Sequence, residues 1–209
     1  MAVSSMGTRE RLIRAAQDEL IHCHGHLEMQ AVAKRARVSV GLAYHHFGSK
    51  AGLIAAVVEE FYSRLDAAVF SGARLTSKIW ANRERERIAA YIAFHYADPF
   101  APLVIGPLSR APEVLDVEIA FTNRQLAAGA LMLKTAQRDG IVPADIDPDL
   151  TIALMIGGIR QALIGALIRE QRPDPEKLTN DIWAFMAAAL RLNTRPDSPC
   201  SKVVRRSPR

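Results

Sequence analysis

The chain has 209 residues, of which 49% are apolar and 6% aromatic, and a formal net charge of +5 at pH 7. That length accommodates one small domain joined to one helical domain, and so few aromatics suit Ala- and Leu-rich helices better than a β-sandwich. The charge lies at the ends: residues 1–50 carry seven Lys and Arg against four Asp and Glu, residues 195–209 five against one, and residues 51–194 fifteen against seventeen, so the middle has no electrostatic reason to hold nucleic acid.

In chain order, the first element is an amphipathic helix over residues 9–21, ended by Gly25. His22, Cys23, His24 and His26 crowd this end. Alternate residues on a helix do not face one another, so no metal site is expected here, and no cofactor anywhere. The only cysteines, Cys23 and Cys200, lie too far apart in sequence to suggest a disulfide framework.

Residues 33–50 carry the strongest functional signal. An Ala-rich helix ends at the basic turn around Arg37, and Ser39 then stands where its oxygen can cap the amides of a second short helix. On that helix Val40, Tyr44 and Phe47 recur at helical spacing while Leu42, His45 and His46 point elsewhere, so one face can pack and another can meet DNA. Ser49 and Lys50 read as the cap and first residue of a longer helix over residues 50–71, placing a cation beside unpaired amides where a phosphate could dock.

The pattern Ser39, Gly41, Tyr44, Phe47 and Lys50 resembles, in full and in register, the recognition helix of the TetR family of transcriptional regulators. The resemblance implies an all-α fold: an N-terminal three-helix helix-turn-helix domain over residues 1–50 and a helical effector-binding and dimerisation domain over residues 51–192. It implies a homodimeric repressor, released from a double-stranded, near-palindromic operator by a small molecule. Val40, Gly41, Leu42 and His45 would approach base edges, and Ser39, Tyr44, His46 and Lys50 would anchor phosphates, with Arg37 adding a cation. The chain departs from the family pattern in the turn, where Arg37 replaces the usual Gly and must adopt an altered or strained geometry. Leu42, Ala43 and Glu28 also depart from it, Glu28 standing where a capping Thr is usual, and the link over residues 22–28 is about two residues short of the family pattern.

Beyond residue 71 three Asp-Pro pairs, at Asp98, Asp147 and Asp174, read as helix N-caps followed by proline at the first helical position. With Pro112 and the Asp139-Gly140 stop they predict helices near residues 76–96, 99–109, 112–139, 148–170 and 176–192. The alternating charges from Arg83 to Arg87 read as a solvated face. The segment over residues 150–168 is apolar nearly all round, too interrupted at Arg160 and Gln161 for a membrane span, and is expected to be a buried helix. With the stripe Ile182, Trp183, Met186, Ala189 and Leu190 it could form a monomer core or a four-helix interface between two subunits. Arg160 needs a carboxylate, a carbonyl or an anionic ligand. Candidate effector contacts, implied by the resemblance, are Tyr91, Phe94, His95, Phe121, Arg124, Gln125, Met155, Arg160 and Gln161. The Pro-, Ser- and Arg-rich residues 193–209 read as a disordered basic tail.

No signal peptide, phosphate loop or nucleophile elbow is recognisable, so a cytoplasmic regulator rather than an enzyme is expected, with no membrane partner. The alternative is an all-helical binding protein or enzyme in which the helix-turn-helix is only structural.

Overall fold

The computed structural model describes residues 7–70 and 76–192, and within them the Ala- and Leu-rich segments form nine α-helices and no strand. The first four are α1 (Thr8–His22), α2 (Met29–Ala36), α3 (Val40–Phe47) and α4 (Lys50–Val69). Helix α1 buries Leu12, Ile13, Ala16 and Leu20, one stripe at helical spacing, against α2 and α4. The buried Glu19 carboxylate on the same helix accepts from the Arg35 guanidinium of α2 at 3.0 Å, which fixes the α1–α2 angle.

Arg37 adopts φ 56°, ψ 49°, the left-handed conformation anticipated for this non-glycine turn residue. The turn closes with Val38 N–H donating to Ala33 O at 3.0 Å and Arg37 N–H to Lys34 O at 3.2 Å, a helix-ending pattern that normally takes glycine. At the next corner glycine is required twice. Gly48 has φ 72°, and a Cβ on Gly52 would stand 2.2 Å from the Phe47 carbonyl oxygen, so the end of α3 can abut the start of α4 only there.

Helix α4 is the long member. Its Leu53, Ile54, Val57 and Val58 close the N-terminal core, and its Phe61, Tyr62, Leu65 and Val69 continue the same core into the rest of the chain, as far as Phe100, Val104 and Phe121. Arg64 of α4 donates to Asp98 at 2.7 Å and lies over the Phe61 and Phe94 rings.

The remaining helices are α5 (Trp80–Ala97), α6 (Ala101–Ile105), α7 (Leu115–Arg138), α8 (Pro148–Leu167) and α9 (Pro175–Ala189), with a 3-10 turn at Leu108–Arg110. Helices α5 and α9 pair, as do α7 and α8. The second pair is close because Gly129 has no side chain: a Cβ there would fall 2.3 Å from Ile152 Cγ1. Asp147 and Asp174 cap α8 and α9 with proline following, as the sequence predicts. Asp98 does not. It ends α5, and its carboxylate takes the Phe100 N–H at 2.9 Å together with Arg64, so the following helix starts only at Ala101.

Two further expectations are corrected. Helix α8 is not buried all round: Ile152, Leu163, Ala166 and Leu167 face inward, but Leu150 (60% exposed) and Leu154 (67%) face outward with Gly157, Gly158 and Ala162. The helix is long and apolar enough to cross a membrane. It packs along α7, however, and carries a paired arginine, as a core helix does. On α9, Ile182, Met186 and Leu190 belong to the subunit's own core with Trp183 partly buried beside them, whereas Ala184, Phe185 (70% exposed), Ala188 and Ala189 face outward. The expected tail over residues 193–209 and the residues bounding α4 and α5 at 71–75 lie outside the described residues.

A left-handed backbone costs an L-residue about 1–2 kcal/mol, part of which glycine returns as unfolded-state entropy. Arg37→Gly is therefore expected to stabilise the fold by about 0.5–1 kcal/mol, measured as a rise of about 1–4 °C in the thermal midpoint.

Candidate nucleic-acid interface and internal cavity

Helix α3 is short enough that its caps govern what it presents. Ser39 Oγ accepts from Leu42 N–H at 3.1 Å, and Ser49 Oγ accepts from Gly52 N–H at 2.9 Å, so both α3 and α4 begin with capped N-termini a few residues apart. Ala43 is the fully buried residue of α3, with Val40 and Phe47 half-buried beside it and Arg9 of α1 lying over the Phe47 ring at 5.5 Å. Gly41, Leu42, Tyr44, His45 and His46 are exposed on the other side, joined by Ser39, Arg37 and Lys50. The packing face is thus Val40, Ala43 and Phe47, and Tyr44, expected from spacing to pack, is at the surface. The small side chain at position 43 lets α3 lie close to the domain while its polar face stands out. Glu28 precedes α2 without capping it by its side chain.

A cavity lies between α4, α5, α7, α8 and α9, with about 1040 Å³ of empty space including its open mouth. Its wall is mostly apolar and aromatic: Phe70 from α4's end, Trp80 and Ile88 from α5, Phe121 and Met132 from α7, Ile152 and Ile156 from α8, and Trp183 from α9. Two ion pairs border it. Glu84 and Arg87 of α5 meet at 3.2 Å, with Arg87 also lying over the Phe70 ring. At the other, the Glu118 carboxylate of α7 accepts from both the Arg160 guanidinium of α8 and the Tyr62 hydroxyl of α4. Burial and the neighbouring carboxylate push the Tyr62 hydroxyl far above its ordinary range, so it stays a donor, while Glu118 holds Arg160 even more firmly protonated than usual.

The cavity wall is linked to α4 twice over. Phe121 stacks on Tyr62 with ring centroids 4.0 Å apart, and Gln125 Nε2 donates to Asp66 Oδ1 at 2.7 Å.

Of the nine residues the sequence offers as effector contacts, Tyr91, Phe121, Gln125, Met155 and Arg160 line this cavity. The other four lie elsewhere. His95 is 1% exposed and packed among Tyr91, Phe94 and Phe61, its Nδ1 2.8 Å from the Tyr91 carbonyl, and burial lowers its pKa to about 4, so it is a neutral core histidine. Phe94 packs against Phe61 on the far side of α5. Arg124 and Gln161 are at the surface. The expected solvated face from Arg83 to Arg87 is corrected outright: Glu84 is 8% exposed, pairs with Arg87, and both reach the cavity. The signal was the run Trp80, Glu84, Ile88 and Tyr91, spaced four, four and three, which puts Glu84 on an otherwise apolar inward stripe.

The helix-turn-helix segment and the overall fold both match known proteins. The family model described as bacterial regulatory proteins, tetR family, matches residues 13–57, which contain α2, α3 and the turn between them. Residues 13–57 therefore carry the N-terminal domain of the tetR family. A sequence comparison with curated proteins gave no match. Among solved structures, a Rhodococcus sp. protein described as a TetR-family transcriptional regulator superposes with a TM-score of 0.68 at 21% identity, over 88% of this chain and 98% of that one. NalD of Pseudomonas aeruginosa, the secondary repressor of the MexAB-OprM multidrug efflux pump, gives 0.69 at 14% identity, over 90% and 98%. FadR of Bacillus subtilis, a transcriptional regulator in complex with stearoyl-CoA, gives 0.65 at 19% identity, over 84% and 96%. At these identities the likeness is one of fold. The shared fold covers 84–90% of this chain in these three superpositions.

Removing Glu118 would strand Arg160 in an apolar setting and leave the Tyr62 hydroxyl without its acceptor. Because Arg160 keeps some contact with water, Glu118→Ala is expected to cost about 2–3 kcal/mol, somewhat below the loss for a fully buried pair. Thermal denaturation should show a fall of about 5–10 °C. A midpoint within about 1 °C of wild type would mean that Arg160 finds another acceptor.

Proposed function

We propose that this chain is a homodimeric TetR-family transcriptional repressor that leaves a near-palindromic operator when a small molecule fills the cavity between α4, α5, α7, α8 and α9. The observation that carries the reading is the exposed polar face of α3, flanked by Arg37 on one side and the capped start of α4 at Lys50 on the other. A helix so placed can enter a major groove while the N-terminus of its neighbour meets the phosphates. Gly41, Leu42 and His45, with the free edge of Val40, approach base edges. Ser39, Tyr44, His46, Arg37 and Lys50 hold the backbone.

Dimerisation through α8 and α9 is supported by their outward face. Leu150, Leu154 and Phe185 are exposed on it together with small residues that permit close helix approach, a concentration of apolar surface that a solvated monomer rarely carries. Two copies joined there would present two α3 helices to half-sites about 34 Å apart or somewhat more. Effector release follows from the links between α7 and α4: displacement of Phe121 and Gln125 by a ligand moves Tyr62 and Asp66, and α4 carries that movement to Lys50. A coupling of about 1–3 kcal/mol changes operator affinity about five- to 150-fold.

The test is selection of bound fragments from the source genome, followed by titration at fixed salt. A near-palindromic fragment is expected to bind at least about 10³-fold more tightly than random duplex. Lys50→Ala should weaken all sequences and reduce the log-log salt slope by about one, whereas His45→Ala should also relax base choice at one position of each half-site. Weak, sequence-blind binding by the wild-type protein would contradict the reading, and equal losses on specific and random DNA for His45→Ala would remove that residue from base recognition.

A further inference from the structure

The cavity wall presents two guanidiniums and one carboxylate. Arg87, Arg160 and Glu84 line the space, whereas Glu118 does not, so Arg160 stands at the wall with its counter-charge behind it. Glu118 accepts from Arg160 Nη1 alone, and among the described residues no group accepts from Nε or Nη2. The Tyr91 hydroxyl lines the same cavity without a hydrogen-bond partner among those residues, close enough to Arg160 for each to act on the other's charge. Burial pushes that hydroxyl up to about 12 against the pull of Arg160, so it is a donor at neutral pH.

The surplus has the same sign at the other pair. Arg87 Nε is buried and lies 3.2 Å from Glu84 Oε2 without the alignment of a hydrogen bond, and the bond from Nη2 to Oε1 is stretched to 3.5 Å. Unpartnered donors are therefore what the wall has to spare. A cationic ligand would meet two guanidiniums and a carboxylate that Arg87 already faces. An anion has a place away from that carboxylate, because Tyr91 lies two helical turns, about 10 Å, beyond Glu84 along α5.

We infer that the ligand of this cavity is a monoanionic amphiphile, a carboxylic acid on a flat apolar body, whose carboxylate is held by Arg160 and the Tyr91 hydroxyl. This deepens the effector reading and rests on it only for the consequence of binding. The planar guanidinium edge and the phenol donate to the carboxylate oxygens, while Trp80, Phe121 and Trp183 cover the body. Glu118 keeps Arg160 from being a bare buried cation, so the preference for an anion is moderate and not absolute.

The chain reports on its own cavity, because its only two tryptophans, Trp80 and Trp183, both stand in the wall. The full-length protein is titrated near neutral pH with 1-pyrenebutyrate, with the uncharged 1-pyrenebutanol and with the cationic 1-pyrenemethylamine, each followed by tryptophan quenching. The carboxylate is expected to bind at least about tenfold more tightly than the alcohol, and the amine most weakly, since hydrogen bonds to an ionised acceptor are about twice as strong as neutral ones. Arg160→Lys keeps a positive charge opposite Glu118 but loses the planar fork, and is expected to bring the acid-to-alcohol ratio below about three. Tyr91→Phe leaves both ion pairs in place and is expected to lower the ratio at least about threefold; it decides alone if Arg160→Lys loses its cooperative thermal transition. Equal or tighter binding of the alcohol or the amine by the wild-type protein would overturn the inference, as would silence of the tryptophans toward all three. A ratio that Tyr91→Phe leaves unchanged would place the carboxylate elsewhere and overturn it too. Displacement of operator DNA is read separately. Binding of the acid without displacement leaves the ligand class standing and removes the regulatory role, whereas displacement by the alcohol or the amine with the acid inert keeps the role and overturns the class.

Discussion

The carboxylate of Glu118 holds together three helices that have different tasks. It accepts from Arg160 in the long apolar helix α8 and from Tyr62 in α4. Neither donor would be tolerable there alone, since an unpaired guanidinium in an apolar helix and an unsatisfied buried hydroxyl each cost free energy that a marginally stable domain cannot spare. The carboxylate therefore does more than neutralise a charge. It fixes helix α8 relative to the helix that begins beside α3, and it does so at the edge of the cavity.

Helix α4 turns that local constraint into a long-range one. Its first turn is capped by Ser49 and held against the end of α3 by the close approach that only Gly52 permits. Its middle is buried in a core shared with α1 and α2, and its later turns meet the cavity wall through the Tyr62–Phe121 stack and the Asp66–Gln125 hydrogen bond. A packed helix is not continuously deformable, so a change at one end is met by movement as a body and not by local bending. The separation of roles follows from this geometry. On the proposed function, side chains on α3 would vary with the sequence they read and side chains in the cavity with the ligand, while the links along α4 would keep the two in register.

Local chemistry made the N-terminal part legible in the sequence. Caps at Ser39 and Ser49, the small Ala43 and the misfit of Arg37 all act within a few residues of themselves, and the structure places each as their chemistry requires, with Arg37 left-handed. Tyr44 was misread because spacing alone cannot say which of two adjacent stripes on an eight-residue helix faces inward. The C-terminal part was legible in its helix starts, where Asp-Pro governs its own neighbourhood. It failed at Asp98, where a distant partner, Arg64, claims the carboxylate. The cavity was the least legible feature. Glu84 and Arg87 look like solvent-facing charges in a run of alternating signs, and only the fold brings α7, α8 and α9 around them. His95 shows the converse: a polar residue that invites a ligand is in fact enclosed by aromatic rings and neutral. The outward apolar face of α8 and α9 could not be divided from the inward one without knowing where α7 lies.

The most direct measurement is of operator affinity with and without a saturating cavity ligand, occupancy being followed by tryptophan quenching, in the wild-type protein and in the Tyr62→Leu, Gln125→Ala double variant. In the wild type the ligand should weaken operator binding by a factor within the about five- to 150-fold range, and the operator should weaken ligand binding by the same factor. In the variant both sites should still bind and the factor should fall below about two, because the links between the cavity wall and α4 are gone. A variant that keeps the full wild-type factor would contradict the account, since coupling would then reach α3 by a route that bypasses Tyr62 and Gln125.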